Sequence, residues 1–157
     1  MTSRHFASYT QARQQLRAVL DAASSGVVTT IDRDHERFLV VAADQQRRDL
    51  AALRPSGATV VAEGGGWAVI LPGLPVHGDG ETFDDAIDDA LDALREYAED
   101  WNARLRAAPN HAQHHVVVEL VELSDDDQLR DWLLGGAPAG ARATGGAVPN
   151  AAGLLPA

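Results

Sequence analysis

The chain has 157 residues, 45% of them hydrophobic and 23% charged, the composition of a folded globular protein of one or two domains. Its 13 basic residues are all arginine, they face 23 acids for a net charge of −10, and cysteine is absent. These counts exclude disulfides, thiolate metal sites, cysteine nucleophiles, Schiff-base lysines and lysine-bearing phosphate loops.

The first periodic segment runs over residues 10–24. Ala12, Leu16, Val19, Leu20 and Ala23 fall on one helical face, with Ser8 or Thr10 as N-cap and Gly26 as the stop. Val27 to Ile31 is β-branched and reads as a strand, Asp32 to Glu36 as a polar turn, and Phe38 to Ala42 as the returning strand of a hairpin. Asp44 caps a helix from Gln45 to Leu53, which Arg54-Pro55 ends. Residues 1–54 therefore form an αββα head. Such a unit is too small to bury much surface alone and is expected to dimerise.

Pro55-Ser56-Gly57 reads as a linker. A second hairpin pairs 58–62 with 67–71 around Glu63-Gly64-Gly65-Gly66, and His77 to Gly80 is a loop or a short edge strand. Thr82-Phe83-Asp84-Asp85 starts a helix with an acidic first turn, which the helix dipole favours. It runs to about Arg106, with Ala86, Ile87, Ala90, Leu91, Leu94, Tyr97, Ala98, Trp101 and Leu105 as its apolar stripe. His115 to Leu123 reads as a strand, and Ser124-Asp125-Asp126-Asp127 caps a last helix through Leu134. The fold class is α+β: a head over 1–54, a second domain over 55–134, and a flexible Gly/Ala/Pro-rich tail over 135–157.

Charge divides along the same line. Residues 1–54 hold eight arginines and six acids, a net of +2, and residues 55–157 hold five arginines and seventeen acids, a net of −12. A net of −10 argues against a nonspecific nucleic-acid binder, but a basic head on an acidic body allows DNA at one end and a basic protein at the other. No apolar run reaches the ~20 residues of a membrane span, and the start lacks the apolar stretch of a signal peptide, so the expected compartment is cytoplasmic.

Two resemblances add to this reading. Ser8-Tyr9-Thr10-Gln11-Ala12-Arg13-Gln14-Gln15-Leu16, followed by strand, polar turn, strand and short helix, resembles the prevent-host-death (Phd/YefM) family of bacterial antitoxins over about residues 3–54. The resemblance implies a homodimer that binds operator DNA and represses its own operon. The DNA-contacting roles fall on Arg4, Ser8, Thr10, Arg13 and Arg17. Free backbone N–H groups and hydroxyls suit phosphates, and arginine suits guanine edges.

Gly66-Trp67-Ala68-Val69-Ile70-Leu71-Pro72-Gly73-Leu74-Pro75, Gly78-Asp79 and Thr82-Phe83-Asp84-Asp85-Ala86 are similar to the HicB-like antitoxin domain, over about residues 58–101. That likeness implies a partial RNase H-like β-β-(β)-α-β-α order. The stretch from Pro75 to Thr82 is short and Gly-rich for that family's third strand. Together the two resemblances imply an antitoxin of a type II toxin–antitoxin system, with a ribonuclease toxin as partner. The toxin's class, whether RelE, Doc, PIN or HicA-like, stays open. Leu129, Trp132, Leu133 and Leu134 have the spacing of a helix-in-groove contact with such a toxin, or of core residues of the second domain.

The alternative is a metal-dependent nuclease using Asp79, Glu81, Asp84, Asp85, Asp88 and Asp89, whose oxygens suit hard cations. An acidic, solvated helix face explains the same residues. His111, His114 and His115 fit no metal-ligand spacing. No cofactor is expected, and the sequence points away from an enzyme.

Overall fold

The computed structural model describes residues 3–135, so the expected tail lies outside the described residues except for Gly135. The order opens with strand β1 (Arg4–Phe6), helices α1 (Tyr9–Gln14) and α2 (Leu16–Ser24), strands β2 (Thr29–Arg33) and β3 (Glu36–Val40), and helix α3 (Ala43–Leu53). Strands β4 (Thr59–Glu63), β5 (Gly66–Ile70) and β6 (His77–Gly80) follow, then the long helix α4 (Phe83–Asp100). A π-helical turn over Trp101–Leu105, a 3-10 turn over Ala112–His114, and helices α5 (His115–Leu123) and α6 (Asp126–Leu133) complete the described chain. The architecture is mixed α+β, with two separate three-stranded sheets.

In the first sheet β1 runs parallel to β2, and β2 pairs antiparallel with β3. The unit therefore opens with a strand that three residues of sequence, Arg4-His5-Phe6, did not announce. The β2–β3 turn is a two-residue loop, Asp34-His35, with φ of 48° and 71°. Both residues lie in the left-handed region, as a tight hairpin turn that follows the strand twist requires. The second sheet is an antiparallel meander, β4-β5-β6. His77–Gly80 is thus a real edge strand, the third strand whose length the sequence put in question.

Two expectations are corrected. The helix over 10–24 is broken at Gln15, where φ is −115° and ψ is 31°. As a result Leu16 and Leu20 are 54% and 53% exposed, while Ala12, Val19, Ala22 and Ala23 are buried. Residues 115–123 form a helix, not a strand. Val117, Val118, Leu120 and Val121 are buried at helical spacing, and that burial outweighs the β-branched propensity of the segment.

The main core joins β5, the loop residues Leu71 and Val76, α4, α5, α6 and Leu50 of α3. Helix α3 is tied to it further by the Gln46 amide, which donates to Glu119 at 2.9 Å, and by the Trp132 indole, which donates to the Arg54 carbonyl at 2.7 Å. The first sheet and α1–α2 have a small core of their own, Phe6, Ala12 and Val19, backed by Ile31 and Val40.

Candidate nucleic-acid interface

The short helix α1 is set by its cap. The Ser8 hydroxyl accepts from the Gln11 N–H at 3.2 Å, and the Gln11 side chain accepts from the Ala7 N–H at 3.0 Å. This reciprocal arrangement fixes the entry of the chain into the helix. The β2–β3 turn lies opposite. Between them opens a cleft of about 730 Å³, lined by Ser8, Tyr9, Thr10, Arg33, His35 and Arg37 among others. The Arg33 guanidinium lies 5.8 Å from the Tyr9 ring centroid, a cation–π placement that holds it at the cleft wall.

The charges of the cleft are mixed. Arg37 donates to both carboxylate oxygens of Asp32, at 2.8 and 3.2 Å. That paired hydrogen bond, ahead of the nearby positive charge, holds the Asp32 carboxyl below the usual carboxylate range and raises Arg37. On the same face of the sheet His5 Nδ1 meets the Thr30 hydroxyl at 3.0 Å, and His5 Nε2 lies 3.4 Å from Asp32. Arg37 is thus largely neutralised, whereas Arg33 has only the exposed neighbour Asp34, at 3.1 Å.

Of the five residues singled out in the sequence, the fold brings Ser8 and Thr10 together in this cleft. Arg4 lies in a separate hollow of about 300 Å³ beside Asp21 and Val27. Arg13 and Arg17 project into solvent on either side of the break at Gln15, with the Arg17 guanidinium 3.8 Å from Asp21. Sequence reading missed Arg33, because the hairpin passes for a polar turn until the backbone lays it against α1. Its alternation with Asp34, and the tyrosine at position 9, were the signals available.

The sequence of residues 3–134 matches the family described as antitoxin of toxin–antitoxin systems of the RelE/RelB kind, PHD-like. The chain belongs to this antitoxin family. Antitoxins of this kind are regulatory proteins, not enzymes, and pair with a cognate toxin. The fold is also similar to a solved structure from Syntrophomonas wolfei subsp. wolfei, described as the antitoxin part of a candidate toxin/antitoxin system, with a TM-score of 0.66 and 20% identity over 84% of this chain and 96% of that one. No curated protein matches the sequence.

Other residues of the antitoxin have structural work that the sequence left open. Leu129, Trp132 and Leu133 are buried in the main core, the second of the two roles that their spacing left open. Leu134 alone stays 37% exposed. The carboxylates of the nuclease reading serve the fold as well. Asp85 closes a capping box with Thr82, Asp89 accepts from the Asp79 N–H at 2.9 Å, and Asp84 and Asp88 both pair with Arg130. Among the described residues no three His, Asp or Glu side chains converge as metal ligands, and no helix is long and apolar enough to cross a membrane.

Proposed function

We propose that the antitoxin neutralises a ribonuclease toxin by direct binding and, as a dimer, represses its own operon by binding operator DNA. In this reading the head over 1–54 is the Phd/YefM-like dimerising and DNA-binding part, and residues 55–134 are the HicB-like part, with α3 as the joint between them. The observation that carries the reading is the uncovered apolar surface of the head. Its core cluster gathers three buried side chains, Phe6, Ala12 and Val19, while Leu16, Leu20, Phe38 and Leu39 are 54%, 53%, 46% and 63% exposed. A soluble chain rarely leaves so many large apolar side chains in one small unit without covering them, and a second copy covers them by symmetry.

The same head carries eight of the 13 arginines. Dimerisation doubles the set Arg4, Arg13, Arg17 and Arg33 and repeats Ser8 and Thr10 about a two-fold axis, which suits a palindromic operator. Arg33 joins the five sequence candidates because it lines the same cleft as Ser8 and Thr10. The acidic body then faces the toxin, whose RNA-binding surface is basic, and electrostatic steering speeds the encounter.

The test is a mobility-shift titration of the full chain on its own promoter DNA at several salt concentrations. Retardation of that DNA, with Arg13→Ala weakening it and reducing the salt slope by roughly two, one for each protomer, supports the reading. Equal binding to promoter and unrelated DNA, or none at all, rejects operator recognition.

A further inference from the structure

We propose that the toxin docks on the outward face of the β4–β5–β6 sheet, an inference that rests on the toxin-neutralising reading above. Strand alternation separates the two faces of this sheet. Val60 packs on the main core and Val69 is fully buried within it. Gly78, their neighbour in the row, is pressed on α4 so closely that a Cβ there would sit 2.5 Å from the Ala90 nitrogen. The opposite face is therefore made of two cross-strand rows, Thr59–Ile70–His77 and Val61–Ala68–Asp79.

A sheet face in water ordinarily carries polar side chains at these alternate positions. Here Val61, Ala68 and Ile70 form its middle, and Ile70 is 50% exposed. No described element covers them: α4, the helix against this sheet, lies on the other face.

The rim says what kind of partner fits. At the hairpin end a groove of about 940 Å³ opens between Glu63, Trp67, Asp79 and Glu81. Trp67 itself belongs to the inward row with Ala62 and Gly80, where its ring stands edge-on to Phe83 with centroids 5.6 Å apart. Among the described residues Glu63 and Glu81 have no ion-pair partner, and Asp79 has only the exposed His77 at 3.8 Å.

Among the described residues no arginine lies on this face. The described arginines beyond residue 55 lie on the helical side, where Arg95 bonds Asp126, Arg104 bonds Asp100, Arg106 bonds Asn102, and Arg130 bonds Asp84 and Asp88. An apolar middle rimmed by three carboxylates suits a basic protein surface. Its arginine or lysine heads reach the carboxylates while apolar side chains seat on Ile70 and Val61. A second copy of this chain is the poorer occupant, since two such acidic rims repel.

The experiment co-expresses the full chain with the small basic protein encoded beside it. Wild type, Ile70→Arg and the double variant Glu63→Arg/Glu81→Arg are compared for copurification, dissociation constant, thermal melting and mass in solution. Wild type should bind, and both variants should weaken binding by roughly tenfold or more with unchanged mass and melting. Should Ile70→Arg melt early, the double variant at exposed positions decides. Undiminished binding by the variants, or a drop in their mass, overturns this docking face while leaving the antitoxin reading in place. A wild-type chain that binds no such protein overturns both.

Discussion

At the scale of single residues, Gly78 and His114 show how closely the body is fitted. A Cβ at Gly78 would lie 2.5 Å from the Ala90 nitrogen and 2.7 Å from its Cβ, so β6 rests directly on the α4 backbone. Gly78→Ala is expected to cost about 1–3 kcal/mol, the usual range for an overpacked core, read as a lower urea midpoint. His114 is buried, and the Tyr97 hydroxyl lies 2.6 Å from its Nδ1 and 2.8 Å from Nδ1 of His111. Burial, then the neighbouring His111 ring and the Arg54 charge, pushes His114 below its ordinary value of 6.5, against a hydrogen bond with the Gly73 backbone. Because the folded value is the lower one, the unfolded chain takes up the proton first. This contribution to stability is complete above pH 6.5 and is lost as pH falls through the folded value. Urea unfolding at a series of pH values should show that decline, and His114→Gln should flatten it.

Among the elements, α5 and the broken first helix teach opposite lessons. Val117, Val118, Leu120 and Val121 recur at helical spacing, with Glu119 and Glu122 on the outer side, where they meet Gln46 and Asn102. A strand would have placed Glu119 on one face with Val117 and Val121. The helical period was therefore legible in the residues, and the β-branched composition masked it. Leu120 is fully buried between helices, and Leu120→Ala should cost about 2–5 kcal/mol in the same unfolding assay. The break at Gln15 was not legible, because Gln-Gln-Leu is ordinary helix sequence. The two segments nonetheless keep Ala12 and Val19, seven residues apart, together in the small core around Phe6. The hairpins and the Thr82 capping box were readable because turn and cap chemistry is local. The DNA candidates were readable only in part, since Arg33 joins Ser8 and Thr10 through a contact 24 residues apart in sequence. Leu20→Glu, at an exposed position of α2, should leave the fold intact and lower the mass in solution from dimer to monomer, as light scattering would report.

For the whole molecule, the uneven charge is its organising feature. The head carries +2 and the rest of the chain −12. Two of the head's arginines, Arg47 and Arg48, pair with Asp44 on α3, whereas Arg4, Arg13, Arg17 and Arg33 lie on β1, α1, α2 and β2. The body directs its arginines to internal pairs along α4 and α6 and leaves carboxylates at the β4–β6 sheet. In the proposed reading one chain holds DNA and a basic protein on different surfaces, without the two competing for the same charges. The central claim is that this antitoxin neutralises its partner by direct contact. The most direct measurement is growth of cells that express the adjacent small basic protein, with and without this chain. The account predicts arrest by that protein alone, recovery on co-expression, and copurification of the two. Continued arrest with both proteins present and soluble would contradict it.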